Sequence, residues 1–215
     1  FQNDVKSMQE QIELIKSKNY TDKLGKDYGT IEFDSLSGAD KYKDKFKVKN
    51  GELVYTSKLT GDELTWAKDL GIGSSAYVLE NGKYDVTIEE NSEGKKVFST
   101  RWSDDGKVPD GIDTEIEVPE GVQIISDAAF RGASSITNII LPNTIETIGS
   151  GAFTACNSLT ELVIPDSVVS IDSNAFLACG DLTLVISEST AKKCFGDSAT
   201  EESVIAALGC EYERS

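Results

Sequence analysis

The chain has 215 residues, of which 39% are hydrophobic and 27% charged, and it contains no histidine. This composition suits one or two globular domains, and the lack of an apolar run of about 18 residues predicts that this fragment does not insert into a membrane. Most of the net charge of −16 lies in residues 109–215, which carry 17 acidic and 4 basic side chains. Nucleic acids and anionic membrane surfaces are therefore poor partners for that half.

The first predicted element is a helix over residues 3–18. Its apolar residues Val5, Met8, Ile12 and Ile15 recur at helical spacing and form one narrow stripe, with charged residues opposite. The stripe indicates a helix packed on its own domain. A coiled coil is the alternative, but two heptads fall short of the three or four that would predict one.

Short strands follow the helix and complete an α+β domain at residues 1–105. An Asn50-Gly51 turn joins two strands in a hairpin, and lysines at alternate positions of residues 45–49 indicate an edge strand protected by charge. A short helix at 60–70 is also expected. The predicted strands are residues 28–34, 45–49, 53–57, 76–79, 84–89 and 96–102.

Residues 1–105 resemble the globular heads of type IV pilin-like proteins from Gram-positive bacteria. The resemblance rests on the helix-first layout and on residues 49–55 (KNGELVY) through 66–68 (WAK). It implies the ectodomain of a surface fibre subunit, in which a hydrophobic helix precedes the head. The chain begins at Phe1 rather than at methionine, so we expect a processed fragment whose export signal or anchor lies upstream.

A linker at residues 106–111, rich in glycine, proline and aspartate, separates this domain from a repeat region at 112–187. Three 23-residue repeats occupy 118–140, 141–163 and 164–186. Five columns recur in the same register: Pro119, Pro142 and Pro165; Ile125, Ile148 and Ile171; Ala129, Ala152 and Ala175; Phe130, Phe153 and Phe176; and Ile136, Leu159 and Leu182.

Each repeat is too small to bury its own apolar side chains, so neighbouring repeats must stack to complete a core. In the strand predicted at residues 159–164, Leu162 and Ile164 are expected to point inward, and Glu161 and Val163 outward. Each phenylalanine stacks on the equivalent ring one repeat away. Cys156 and Cys179 share a column and are expected to be small, buried free thiols.

The repeated pattern combines an aliphatic residue and proline with a later Ala-Phe pair and a final Leu or Ile. It resembles the BspA-like leucine-rich repeats of bacterial and protozoan surface proteins. The resemblance implies a leucine-rich-repeat solenoid and an extracellular or bacterial cell-surface location. Where the common leucine-rich pattern has Asn or Cys, this sequence has Gly121, Thr144 and Ser167.

Residues 188–215 follow the last repeat and are predicted to cap the open end of the stack. A short helix at 203–208 ends at Gly209. Cys194 and Cys210 lie in this cap and are candidates for a disulfide, which an exported protein would permit.

Outward residues of the predicted inner strands form two columns across neighbouring repeats. One interpretation is a docking site for a protein or peptide, flanked by acids that steer a basic partner. The other is that the β-branched residues only favour strand structure, or are covered by the N-terminal domain. The predicted ligand-binding residues are Glu115, Glu117, Asn138, Ile140, Glu161, Val163, Leu184 and Ile186.

The sequence thus predicts a non-enzymatic adhesion or protein-binding module, with a pilin-like fibre subunit as the alternative. It has no Gly-rich phosphate loop, Gly-x-Ser-x-Gly motif or nucleophile-base pair. The lack of histidine removes the usual general base and the commonest metal ligand. Neighbouring carboxylates such as Glu89 and Glu90 point to opposite faces of a strand. We expect no catalytic residues, no cofactor and no metal site.

Overall fold

The computed structural model describes residues 1–22, 31–56, 58–104, 107–110, 112, 114–198, 200–208 and 211–214. The chain divides into two compact units, Phe1–Ser75 and Ala76–Ser215. The first is a helix packed with a small sheet, and the second is a solenoid with a strand ladder on each of two sides. The predicted fold class, an α+β domain followed by a solenoid of 23-residue repeats, is confirmed.

The first unit begins with α1, Gln2–Asp22. Its predicted apolar stripe is buried, since Val5 and Met8 have no exposed surface and Ile12 is 2% exposed. The stripe packs in one core with residues of the sheet that follows. Because the apolar face is covered within the unit, the structure favours a helix packed on its own domain over a coiled coil.

The sheet of the first unit has three strands in the order β1-β2-β3. β1, Phe46–Lys49, and β2, Glu52–Tyr55, form the predicted hairpin. Both turn residues have positive φ, 53° at Asn50 and 74° at Gly51, as a two-residue hairpin turn requires. β3, Gly73–Ser74, pairs with β2, so the lysine-bearing β1 is an edge strand as predicted.

Two further elements of the first unit were predicted from sequence. The predicted helix is α2, Gly61–Asp69. The predicted strand at 28–34 is wrong for its described part, because Phe33–Ser35 form a turn of 3-10 helix. Ser35 explains the difference, since its hydroxyl donates to the Glu32 carbonyl (2.6 Å) and favours a local turn over a ladder. Residues 28–30 lie outside the described residues.

The second unit begins earlier than the predicted linker at 106–111. β4, Tyr77–Val78, joins one ladder of the solenoid, and β6, Lys96–Thr100, joins the other. β5, Val86–Glu90, pairs with β6 as an antiparallel hairpin at the edge. Residues 76–104 therefore form the first coil of the solenoid. The boundary predicted at residues 106–111 lies inside the second unit. Residues 106 and 111 themselves are outside the described residues.

The inner ladder is parallel and advances one strand per coil. β4 pairs with β7, Glu115–Glu117, and β7 pairs with β9, Asn138–Ile140. Beside β9 lies β11, Glu161–Val163. It pairs with β13, Thr183–Ile186, which pairs with β14, Glu211–Arg214.

The second ladder continues from β6 on another side of each coil. Its strands have two residues each: β8, Ile124–Ile125; β10, Thr147–Ile148; and β12, Ser170–Ile171. They pair in parallel with a constant offset of one repeat, so that Ile125, Ile148 and Ile171 are neighbours. This register confirms the repeat length read from the sequence.

The core between the ladders contains a continuous column of phenylalanine rings. Phe98, Phe130, Phe153 and Phe176 have no exposed surface, and successive ring centroids are 5.2, 5.2 and 5.3 Å apart. The stacked rings confirm the predicted column and extend it one coil earlier, to Phe98. Trp102 packs edge-on against Phe130 at 5.8 Å.

The cysteines of the repeat column are buried free thiols, as predicted. The Cys156 thiol donates to the Phe130 carbonyl (3.1 Å), and the Cys179 thiol donates to the Phe153 carbonyl (2.9 Å). Burial raises the pKa of Cys156 to about 12 and also raises the pKa of Cys179.

Two helices follow the last repeat, α3 at Glu188–Phe195 and α4 at Glu201–Leu208. The second was predicted and the first was not. Ser187 caps α3 by accepting a hydrogen bond from the Thr190 amide (3.2 Å). Both helices contribute buried residues to the solenoid core, including Ala191 and Val204. Among the described residues, no helix is long and apolar enough to span a bilayer.

Candidate functional site

Side chains of the inner ladder alternate between the core and the surface. In β11, Leu162 is 1% exposed and packs inside, whereas Val163 is 48% exposed. Glu161, on the same side as Val163, is half-buried. This pattern matches the alternation predicted for residues 159–164 and results from the pleat of the strand.

Pairing of the strands aligns the outward residues into two columns. The β7–β9 register places Glu115 beside Asn138 and Glu117 beside Ile140. The half-buried Ile140 and the exposed Val163 hold equivalent places one repeat apart. Six of the eight predicted ligand-binding residues thus lie on one outward face.

The other two predicted residues, Leu184 and Ile186, are not on this face. Neither has any exposed surface, and both belong to the core. The β11–β13 register pairs Glu161 with Thr183 and Val163 with Val185, so those two residues take the outward places.

The reason for this correction is a missing residue in the last repeat. Leu159-Thr160-Glu161-Leu162 of one repeat corresponds to Leu182-Thr183-Leu184 of the next. A shift of one residue moves a strand's side chains to its opposite face. The missing residue can be read directly from the sequence. A count in steps of 23 residues ignores it and therefore assigns Leu184 and Ile186 to the wrong side of the strand.

We call the corrected set the inner strand face. One column is polar and holds two carboxylates, an amide and a hydroxyl. The other holds one carboxylate followed by three aliphatic side chains on successive coils. The face comprises Glu115, Asn138, Glu161 and Thr183 in the first column, and Glu117, Ile140, Val163 and Val185 in the second.

At the start of the solenoid, Val78 pairs with Glu117 and is 43% exposed. Val78 extends the second column by one coil, so that Glu117 lies between Val78 and Ile140. Sequence counting missed Val78 because the first coil is longer than the later repeats and has no Pro or Ala-Phe landmark.

A second concavity lies on the turns that connect the two ladders. It is a groove of ≈ 410 Å³ lined by Gly121, Gln123, Asn143, Thr144, Glu146, Ser167 and Val169. The Thr144 hydroxyl accepts from the Gly121 amide (3.2 Å) and donates to the Val122 carbonyl (2.6 Å). Thr144 thus supplies the bonding between coils that Asn or Cys provides in the common leucine-rich pattern.

Charged groups of the groove also bond between coils. Glu146 accepts from Lys95 (2.7 Å) and from the Gln123 amide (3.0 Å). The Lys95 hydrogen bond, followed by that of Gln123, lowers the pKa of Glu146. These bonds of Lys95, Gln123 and Glu146 join neighbouring coils at the groove.

Cysteine positions in the cap leave one prediction open. Cys194 is half-buried, and burial raises the pKa of its thiol to about 11. Its predicted disulfide partner, Cys210, lies outside the described residues, so the pairing stays a prediction. No group of three or more Cys, Asp or Glu within the described part of the chain is arranged to hold a metal ion.

Similarity to a known repeat family agrees with this architecture. Residues 113–207 match the family model described as a BspA type leucine rich repeat region, in six copies. No curated protein matches the chain. A leucine rich cell surface protein from Faecalibacterium prausnitzii A2-165 is 20% identical with a TM-score of 0.37, over 66% of this chain.

The match spans only 41% of the Faecalibacterium protein's length. The leucine rich repeat protein of T. pallidum is 19% identical with a TM-score of 0.32, over 50% of this chain and 71% of that one. Neither structure matches closely enough to bear on individual residues. The repeat columns, the two ladders and the family match agree that residues 113–207 are a leucine-rich repeat region of the BspA type.

Proposed function

We propose that the chain is a protein-binding module of a cell-surface or secreted protein, and that the inner strand face is its adhesive surface. The observation that carries the proposal is the aliphatic row Ile140, Val163 and Val185, in which Val163 is 48% exposed. These outward β-branched residues on consecutive strands form an apolar strip, in which Ile140 and Val185 are half-buried, and apolar strips at a surface mark interaction sites. The BspA-type repeat region supports the surface location, since such repeats occur in bacterial and protozoan surface proteins.

Charge favours a basic partner. Residues 109–215 carry 17 acidic and 4 basic side chains, and three glutamates stand on the face itself. Complementary charge accelerates encounter and fixes orientation, while buried aliphatic contacts supply affinity. A protein or peptide that presents aliphatic side chains beside Lys or Arg fits both features.

The test is a competition experiment with matched variants. Labelled chain is bound to whole cells and to secreted proteins, and unlabelled Val163→Lys or Val169→Lys competes for the saturable sites. Val169 is a matched control because it is 52% exposed but lies in the groove, off the inner strand face. We expect V169K to compete like the wild type and V163K to require about tenfold more protein, as for loss of a binding hot spot. Equal competition by both variants would contradict the proposal.

A fibre subunit is the second candidate function. It is favoured by α1, whose apolar stripe is buried in the core of the first unit, as expected of a helix that anchors a pilin-like head. The check is the gene sequence upstream of Phe1. About 20 apolar residues continuous with α1 would support a fibre subunit, whereas a cleavable signal alone would leave the binding module as the function.

A further inference from the structure

We infer that the partner segment of the inner strand face is an amphipathic α-helix with a basic flank, lying across the strands. This inference rests on the proposed function of that face and specifies its partner. It comes from the spacing of the outward aliphatic side chains and from the polar column beside them.

The spacing of the aliphatic row matches a helix. Ile140, Val163 and Val185 lie on successive coils. Neighbouring strands of a sheet are about 4.8 Å apart, and the stacked core rings of Phe130, Phe153 and Phe176 repeat at 5.2 to 5.3 Å. Two steps along the row therefore span about 10 Å. Residues i, i+3 or i+4, and i+7 of an α-helix advance by about 5 and 10.5 Å at 1.5 Å per residue.

An extended partner fits less well. Alternate residues of a strand are about 6.6 Å apart, so i, i+2 and i+4 span about 13 Å. After two steps an extended segment is out of register with the row by roughly 3 Å, whereas a helix is out by less than 1 Å. A helix can therefore place one aliphatic residue against each of the three coils.

The width of the face sets the chemistry of the helix flank. Outward residues two apart on one strand, such as Glu161 and Val163, are separated by about 6.6 Å. A helix with a radius of about 5 to 6 Å centred on the aliphatic row ends just short of the polar column, so long side chains on its edge can reach that column. Side chains on that edge of the helix face Glu115 and Glu161, which favours Lys and Arg, whose long stems also cover apolar surface.

The experiment compares two display libraries of equal size on the full chain. One randomises a single face of a stable three-helix scaffold, and the other randomises one face of a small β-sheet scaffold. Binders are selected on the wild-type chain and then measured on V163K and V169K, both checked for native far-UV circular dichroism. We expect binders that lose about tenfold in affinity on V163K, and keep it on V169K, to come from the helical library. Their sequences should carry aliphatic residues at i, i+3 or i+4, and i+7, with Lys or Arg along one edge.

The outcomes separate this inference from the proposed function. Val163-dependent binders drawn mainly or equally from the sheet library would overturn the helical partner and leave the face as a binding surface. Helical binders with acidic or neutral edges would overturn the basic flank. If neither library yields a binder that depends on Val163, both the helical partner and the proposed function fail.

Discussion

Ala155 and Ala178 adopt a backbone conformation that suits glycine. Their φ angles are 60° and 58°, and the equivalent residue one repeat earlier is Gly132, with φ 77°. The left-handed region costs a residue with a Cβ about 1 kcal/mol or more. The conformation persists because it fixes the corner of the coil, where the Ala155 amide donates to the Leu177 carbonyl (3.0 Å).

Replacing Ala155 with glycine should therefore stabilise the solenoid by about 0.5 to 1 kcal/mol. Urea unfolding, monitored by the fluorescence of Trp102, measures the change. A Trp66→Phe background leaves Trp102 as the only tryptophan of the chain. Ala152→Gly is the control, because Ala152 is fully buried and has no positive φ. That variant should lose about 1 kcal/mol. A destabilised A155G would show that the methyl contacts outweigh the backbone strain.

Cys156 makes the solenoid sensitive to alkali. Its thiol would ionise near pH 9 in the unfolded chain, but burial raises the folded pKa to about 12. The neutral thiol makes its full contribution to the unfolding free energy below pH 9. This contribution falls as the pH rises from 9 toward 12, because in that range the thiol ionises in the unfolded chain but not in the folded one. One pH unit in that window corresponds to about 1.4 kcal/mol.

Cys156→Ala should remove the contribution of this thiol to the dependence, and alanine should fit, since Ala133 already fills the same column one repeat earlier. Between pH 8.5 and 10.5 the wild type should lose about 2 kcal/mol more unfolding free energy than C156A. Urea titrations at several pH values measure how the unfolding free energy of each protein changes with pH. If it falls equally fast in the wild type and in C156A, groups other than Cys156 cause the loss of stability at alkaline pH.

The phenylalanine column is the element that joins successive coils. Phe153 stacks between Phe130 and Phe176, with ring planes at 12° and 5°. Truncating it leaves a cavity between two rings that cannot close without moving both ladders. We expect Phe153→Ala to destabilise the solenoid by about 3 to 5 kcal/mol. Thermal and urea unfolding measure the loss.

Leu177→Ala is the control for this prediction. Leu177 lies near the same column but is 55% exposed, so its truncation should cost less than about 0.5 kcal/mol. Similar losses in the two variants would mean that the stack contributes no more than surface packing.

Elements were predictable wherever the repeat kept its period. Pro, Ala-Phe and the paired isoleucines recur at the same place in each repeat, and the structure keeps that register in the β8–β10–β12 ladder. The face prediction failed only at Leu184 and Ile186, where one deleted residue reversed the alternation. α3 was missed because its start depends on a Ser187 cap bonded to Thr190, a local contact with no counterpart in the repeats.

At the scale of the whole molecule, the first coil was hidden by its irregular length. Phe98 and Phe130 are farther apart in the sequence than one repeat, because the 3-10 turn Trp102–Asp104 and the segment that leads to β7 lie between them. Residues 76–104 therefore looked like the end of an α+β domain. Their place became clear only from long-range pairing, which joins β6 to β8 and β4 to β7.

This arrangement predicts which fragment folds alone. A fragment of residues 76–215 keeps Phe98 and Trp102 over Phe130 and should unfold cooperatively. A fragment of residues 112–215, cut after the linker predicted from sequence, exposes one face of Phe130 and the unpaired edges of β7 and β8. Losing the burial of such aromatic side chains costs about 1.5 to 3 kcal/mol for each one, and exposed strand edges favour aggregation.

Circular dichroism melts and binding of a hydrophobic dye measure the difference between the two fragments. We expect the 112–215 fragment to melt at least about 10 °C lower than the 76–215 fragment, since a loss of several kcal/mol shifts the midpoint of a domain of this size by that much, and to bind more dye. A 112–215 fragment as stable as the longer one would mean that the first coil is accessory and that the solenoid begins at the predicted linker. The lower stability of the shorter fragment would instead show that β6, Phe98 and Trp102 close the N-terminal end of the stack, as α3 and α4 cover its other end.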